Sequence, residues 1–432
     1  MTGICLPGNE SAIQLNPGLK SETWGTHISE FWVSLRLCST APMTNPVINP
    51  SVGLLPVEGG YIAFDPACDR LHEMNAIGAL IAELCDGSRN VEEIRALAGP
   101  LMPGGSTTEI DRWIVEGIEA GMLVWGNGAA ARPRELSASE LSDLAEKLSG
   151  SDKAETAFQC SKRVTELTPD DPDAWYALGC AAQATNHRDE ARRAYERYLE
   201  NRAEDATIRH LLIALRDEAP PPRASDECVL QSFKNFSSHY DTKMRDSLSY
   251  QAPERLNDLI RSEIGDAAGL EILDIGCGTG LAGACLKERA ARMVGIDLSP
   301  EMIEFARERG IYDRLEVAEI TGWLDQTRAD FDLIVACDCL VYFGDLHRVA
   351  ELAAKRLKPQ GWFAFTTERG ERYPFHLTDS GRFTHHPDHI REVAATAGLI
   401  VARLEDGFLR MERGVEVTGL LALLKKPGLR TC

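Results

Sequence analysis

No two cysteines in this chain of 432 residues stand in C-x-x-C spacing, although there are 12 of them. Zinc ribbons and thioredoxin-like redox motifs are therefore excluded by spacing alone, and scattered thiols fit a reducing compartment. No apolar run approaches the roughly 20 residues that span a bilayer, and no basic stretch followed by an apolar one marks the N-terminus. The expectation is a cytoplasmic protein with no membrane partner. Positive charge is scarce too: 46 Lys and Arg against 66 Asp and Glu leave a net charge of −20. Such a surface repels phosphate backbones, so nucleic acid is not an expected partner. What the chain does have is 44% hydrophobic and 26% charged residues. That composition builds real cores and excludes collagen-like, wholly disordered and disulfide-scaffold classes. At about 150 residues per domain the length asks for two to four domains.

Residues 1–50 mix Pro, Gly, Asn and Ser with isolated aromatics such as Trp24 and Trp32, and no period of 2 or 3.6 persists, so an irregular lead is expected. From Val52 the pattern tightens. Leu54, Leu55 and Val57, then Gly59-Gly60, then Tyr61, Ile62 and Phe64 read as two strands around a glycine turn. Met74, Ile77, Leu80, Ile81 and Leu84 repeat at helical spacing up to Asp86-Gly87. Further helices are expected over Val91–Leu97 and Ile110–Ala120. Strands followed by short helices make a winged-helix-like module, which is often a DNA binder. Here residues 1–128 hold 6 basic and 15 acidic side chains, which argues against DNA.

Leu71-His72-Glu73-Met74-Asn75, Leu84-Cys85-Asp86-Gly87, Val91-Glu92-Glu93-Ile94 and Gly121-Met122-Leu123-Val124 give residues 52–125 a resemblance to the PqqD family. These are leader-peptide-binding domains of pathways that modify ribosomally made peptides (RiPP biosynthesis). The family usually has Leu-Asn-Glu where this chain has Leu-His-Glu. The resemblance implies a peptide partner that adds as an extra strand at the sheet edge, with backbone hydrogen bonds supplying affinity and pockets for alternate side chains supplying selectivity. The plainer reading is a docking or dimerisation wing.

The middle of the chain is helical and repetitive. Trp175, Leu178, Gly179, Ala182, Ala191, Tyr195 and Tyr198 fall where a 34-residue tetratricopeptide (TPR) repeat places them. One period earlier stand Leu141, Leu144, Ala145, Leu148, Ala157, Ser161, Val164 and Pro169. A spacer or a modest peptide-holding surface are equally compatible with so short an array. Pro220-Pro221-Pro222 then marks a linker.

The chemistry-bearing segment begins at Glu271–Ile275, an apolar strand running straight into Gly276-Cys277-Gly278-Thr279-Gly280 and a helix. Glycines there admit unusual φ angles and a close ligand. A second strand, Met293–Ile296, ends at Asp297, a carboxylate placed to accept from both hydroxyls of a ribose. A nicotinamide dinucleotide is disfavoured, because the sixth position of the fingerprint is Leu281 rather than Gly or Ala. Asp274 would repel a pyrophosphate and welcome a cationic amino-acid ligand. S-adenosylmethionine carries an ammonium, a sulfonium and a ribose.

The stretch from Phe233 to Pro427 resembles class I S-adenosylmethionine-dependent methyltransferases, particularly the tetratricopeptide-linked group. Beside the glycine turn and Asp297, the resemblance rests on Phe331-Asp332-Leu333-Ile334-Val335-Ala336-Cys337-Asp338 as fourth strand. It also rests on Leu357-Lys358-Pro359-Gln360-Gly361-Trp362 as the turn before the fifth, and on Val415-Glu416-Val417-Thr418-Gly419 as a closing hairpin. Phe236, His239-Tyr240-Asp241 and Tyr250-Gln251-Ala252-Pro253 match the lid. The resemblance implies a cofactor site of Tyr240, Asp274, Gly276, Cys277, Gly278, Gly280, Asp297, Leu298, Met302, Glu319, Ile320 and Asp338. Tyr240 would reach the cofactor's carboxylate end, and Glu319-Ile320 stands where many relatives have Asp-Leu or Asp-Ala. Strand four lacks the Asn-Pro-Pro-Tyr of many amide and base N-methyltransferases, which favours oxygen acceptors.

Methyl transfer is an in-line displacement driven mainly by positioning, and a base is needed only for an acceptor that must lose a proton. Candidates around the mouth are His239, Tyr342, Glu368, Arg382, His385 and His386. For each the plainer reading is a lid hydrogen bond or salt bridge. No metal is expected, because Pro387 breaks the spacing of His385-His386-Pro387-Asp388-His389 and no second ligand cluster pairs with it. Cys337 and Cys339 read as packing.

The expected fold class is multidomain α/β. It comprises an irregular lead (1–50), a winged-helix-like PqqD domain (51–128), a TPR-like helical segment (135–218) and a Rossmann-like class I methyltransferase domain (226–432). The expected function is methylation, of a carboxylate oxygen, on a precursor peptide recruited by its leader. Two alternatives stand beside it: a small-molecule methyltransferase with a regulatory wing, and a non-catalytic peptide-binding scaffold. A homodimer or contacts with other pathway enzymes are compatible with either.

Overall fold

The computed structural model describes residues 45–102, 106–126, 130–233, 249–412 and 415–428. Most of the lead, and with it the lid candidates His239 and Tyr240, lies outside the described residues. The chain divides into two compact units, Thr2–Thr185 and Asn186–Cys432. The division falls inside the stretch of helical periodicity.

In the N-terminal unit, β1 (Asn45–Ile48) pairs with β5 (Leu123–Gly126). β2 (Gly53–Val57), β3 (Gly60–Asp65), β4 (Arg70–Asn75) and the short β6 (Arg134–Glu135) form a sheet in the order β4-β3-β2-β6. Val57 pairs with Gly60, so the hairpin turn is Glu58-Gly59, one residue earlier than the sequence pattern suggests. Met74, expected to open a helix, belongs to β4. Asn75 accepts from the Gly78 N–H at 2.9 Å and starts α1 (Ala76–Leu84) as its N-cap. Asn90 and Glu93 form a capping box on α2 (Val91–Ala98), which precedes α3 (Thr108–Glu119). The sheet is covered on both faces. Leu54, Ala63 and Met74 pack with Ile81, Ile94 and Trp113 on one side. Leu55, Ile62 and Phe64 pack on the other against Leu141, Leu144 and Val164. The latter come from α4 (Ala138–Leu148) and α5 (Ala154–Leu167), followed by α6 (Pro172–Ala184).

The C-terminal unit opens with α7 (Arg188–Leu199), α8 (Ala206–Leu215) and α9 (Asp226–Phe233), then α10 (Ala252–Ile264). The sheet strands follow: β7 (Leu270–Ile275), β8 (Ala290–Asp297), β9 (Arg314–Val317), β10 (Phe331–Ala336), β11 (Leu357–Arg369), the short β12 (Phe375–Leu377) and β13 (Phe383–His385), and the hairpin of β14 (Ile400–Glu412) and β15 (Val415–Lys425). The order β9-β8-β7-β10-β11 is parallel; beside β11 lie both β15, antiparallel to it and to β14, and β13, parallel to it and antiparallel to β12. Leu357–Trp362, expected as a turn, lies within β11, with Gln360 at φ 67° and a register shift against β10.

β7 and β10 are buried on both faces, which is why they read as continuous apolar runs. One face carries Leu273, Ile275, Ile334 and Phe363 against α14 (His347–Arg356) and α15 (Pro387–Thr396). The other carries Ile272, Leu333 and Val335 against Leu256, Leu259 and Ile260 of α10. Strand order reverses between β7 and β10. In such sheets the crevice beyond the strands' carboxyl ends at the reversal is where ligands bind.

Candidate active site

A cleft enclosing about 950 Å³ of space, open solvent at its mouth included, lies at that reversal. Its floor is the turn Gly276–Gly280 between β7 and α11 (Leu281–Leu286). The turn is pinned from β8: Cys277 N–H donates to Ile296 O at 2.9 Å and Gly278 N–H to Asp297 Oδ2 at 2.8 Å. Asp297 Oδ1 accepts from Ser299 N–H at 2.9 Å. Each carboxylate oxygen is thus held by one backbone donor and keeps lone pairs toward the cleft it lines. Burial pushes the Asp297 carboxyl up, opposed by the hydrogen bonds from Ser299 and Gly278. Gly278, at φ 53°, has no atom within 4 Å of where a Cβ would stand, so its backbone is open to a close-lying ligand.

Leu298, Met302, Glu319, Ile320, Cys337 and Asp338 also line the cleft. Residues 272–361 match the family described as methyltransferase domain. That segment is thus similar to a methyltransferase domain. Over 103 residues, 23% of this chain and 42% of the relative, the sequence is 33% identical to the ubiquinone biosynthesis O-methyltransferase of Idiomarina loihiensis. Over 145 residues, 33% of this chain and 50% of the relative, it is 30% identical to the malonyl-[acyl-carrier protein] O-methyltransferase of Acetivibrio thermocellus. The chain spans about half the length of the curated relatives it matches. Among solved structures, the magnesium protoporphyrin IX methyltransferase of Synechocystis with bound SAH is similar at 13% identity and a TM-score of 0.37, over 46% of this chain and 99% of that one. The N-methyltransferase NodS of Bradyrhizobium japonicum in complex with S-adenosyl-L-homocysteine is similar at 22% and 0.38, over 46% and 98%.

The cradle has the features that S-adenosylmethionine, the expected cofactor, would need. Asp297 offers two acceptor oxygens at a strand end, and Gly278 leaves room beside them. Glu319 caps α13 (Ile320–Gln326), accepting from Thr321 N–H at 3.0 Å and Gly322 N–H at 2.7 Å. Burial pulls its carboxyl upward, but the bonds from Thr321 and Gly322 outweigh it and hold the group below the usual range.

Two cofactor candidates among the described residues, Asp274 and Gly280, do not line the cleft. Asp274 is buried beneath the turn rather than in the cleft, because its place in β7 aims it at Tyr312, whose hydroxyl donates to Oδ2 at 2.7 Å. Burial pushes its carboxyl up to about 7. Gly280 and Gly276 are required by the protein itself: a Cβ on Gly280 would meet Tyr312 at 3.0 Å, and one on Gly276 would meet Cys339 at 2.5 Å. The thiols of Cys337 and Cys339 are pushed well up by burial and stay protonated.

Of the catalytic candidates among the described residues, Tyr342 alone lines the cleft. Its hydroxyl is pushed up by burial, opposed by the Arg382 guanidinium beside it. Glu368 and Arg382 stand behind it in an ion network that sequence reading missed. The centre is Arg410, 1% exposed on β14. Its Nη1 meets Asp338 Oδ1 at 3.1 Å and Oδ2 at 3.3 Å; Nη2 meets Glu412 at 3.1 Å and also Glu368. Arg382 pairs with Glu412 and lies 3.5 Å from Glu368. Nothing local marks Arg410, since β14 reaches the site only through β15. His385 is fully buried with Nε2 3.1 Å from Gly344 O, and burial pushes its imidazole down to about 4. It is a core residue, not a mouth residue. His386 caps α15.

The linker supplies a wall that sequence reading did not assign. Arg223, Ala224, Val229 and Phe233 line the cleft. Ala224 N–H donates to Tyr342 O at 2.8 Å, and Phe233 meets the Tyr342 ring edge-on at 5.9 Å.

Proposed function

We propose that this chain transfers a methyl group from S-adenosylmethionine to an oxygen of a ribosomally made precursor peptide. The peptide would be recruited by its leader through a PqqD-like N-terminal domain, with a TPR-like helical segment as spacer. The observation that carries the reading is Asp297, tied by both oxygens to the turn and the strand end where sheet order reverses. Bound there, the cofactor supplies an electrophilic methyl on sulfur. The chain's own residues hold and orient: Asp297 accepts from the ribose, the Gly278 backbone lies against it, and Tyr342 with Arg382 behind it offers the donor that aligns an acceptor oxygen. Two relatives named as O-methyltransferases support an oxygen acceptor. A carboxylate acceptor is already nucleophilic near neutral pH, so no base is required of this site.

Peptide recruitment is supported by β4, which pairs only with β3 among the described residues and so presents a sheet edge. Tethering raises the effective concentration of the core peptide to roughly millimolar without any new active-site contact. The test uses full-length protein, labelled methyl donor, and precursor with or without its leader. Transfer to the precursor, with kcat/KM at least about a hundredfold lower for the leaderless peptide, is expected. Equal turnover of both would refute recruitment, and the absence of transfer to any oxygen would refute the acceptor class.

A further inference from the structure

Away from the cleft, the C-terminal unit gathers three metal-ligating side chains from two segments distant in sequence. Asp345 and His347 flank the start of α14, and His389 lies in the first turn of α15. One ligand atom from each lies within 4.8 Å of the other two. His389 is 1% exposed, and neither ring nitrogen has a hydrogen-bond partner among the described residues. A buried imidazole with both nitrogens unsatisfied is costly unless something fills the gap. The Gly344 carbonyl near it already takes His385 Nε2 at 3.1 Å, and the His385 ring stacks on it with centroids 6.0 Å apart. The His347 ring also meets that of His389 edge-on, with centroids 5.4 Å apart.

We infer that Asp345, His347 and His389 form a binding site for a divalent transition ion of the zinc class. Two imidazoles and one carboxylate are a borderline-soft donor set, which zinc and its neighbours prefer and which calcium and magnesium, seeking all-oxygen shells, do not. The side chains of Asp345 and His347 are 46% and 35% exposed, so an ion enters from solvent and keeps water in its open position. Donors around such an ion stand about 3.3 Å apart, given metal–ligand lengths near 2 Å. The part-exposed pair closes that gap by side-chain rotation. In the metal-free form His347 Nδ1 and Asp345 Oδ1 lie 2.7 Å apart, and the ion takes over the carboxylate that this pair shares. Its role is to clamp. Phe343, which lines the cleft, is two residues before Asp345, and Asp345 N–H donates to Pro222 O of the linker at 2.9 Å. Bound to α15, the ion fastens the segment that carries Tyr342 and Phe343.

The experiment is zinc chloride titration of chelator-stripped, full-length protein by calorimetry, beside His347→Gln and Asp345→Asn. Both variants alter part-exposed side chains, and their folding is checked by circular dichroism. The wild type should bind one more equivalent at micromolar zinc than either variant and should melt several degrees higher with zinc than without; the variants should lose that increment. Cobalt in place of zinc should give visible d–d bands in the wild type alone. Equal zinc stoichiometry in all three proteins, as thiol capture would produce, overturns the site, as does no saturable binding by the wild type.

Discussion

The Tyr312 hydroxyl donates a 2.7 Å hydrogen bond to Asp274 Oδ2 from a slot lined by three glycines. A Cβ on Gly283 would stand 2.3 Å from that hydroxyl, and one on Gly280 or Gly295 would crowd the ring. The phenol thus plugs the underside of the turn whose upper side lines the cleft, and joins β7 to the segment after α12 (Pro300–Glu308).

Tyr312→Phe leaves a buried carboxyl without its donor and should cost about 1–3 kcal/mol. Gly283→Ala forces the ring out and should cost about as much through overpacking. Because both act on one contact, the double variant should lose less than the sum in urea unfolding. Strict additivity would show that the plug is not one unit.

Asp274 makes stability depend on pH. Its folded pKa, about 7, stands above the unfolded value, so the fold binds the proton more tightly than the unfolded chain does. No penalty exists below about pH 4. It grows as pH rises toward 7, and above that it is complete, at most about 4 kcal/mol. Asp274→Asn should therefore gain on the wild type as urea unfolding is moved from about pH 5 to about pH 8. A stability difference flat across that range would show that the carboxyl is not held protonated.

Asp297→Ala removes a charged acceptor in the cofactor cleft. Hydrogen bonds to charged groups contribute about 1.5–3 kcal/mol, so affinity for S-adenosylhomocysteine should fall about tenfold to a hundredfold by calorimetry. Unchanged affinity would move the ribose elsewhere.

Arg410→Met strands Asp338, Glu368 and Glu412 around a missing charge. Breaking a buried ion network from one side costs about 3–5 kcal/mol, so a large drop in melting temperature is expected. Arg410→Lys should rescue it poorly, since one ammonium cannot hold Asp338 on one side and Glu368 and Glu412 on the other as the two guanidinium nitrogens do. Recovery by lysine to wild-type stability would show that charge alone suffices.

The strand Leu270–Ile275, its glycine turn and Asp297 were legible in the sequence because they depend on neighbours in the chain: an apolar run, residues that accept positive φ, and an acid at the next strand's end. The two-strand hairpin and the helices after it were legible for the same reason, and the error at Met74 arose because a strand face and a helix face can both begin on one apolar residue. The sequence by itself therefore determined the kinds of element, the net negative charge and the glycine turn. Only the tertiary structure decided that Asp274 faces Tyr312, that Arg410 gathers three carboxylates, that the linker walls the cleft and that His389 meets Asp345 and His347. Each of those depends on which distant segments the sheet order brings side by side, and no local period or spacing encodes that.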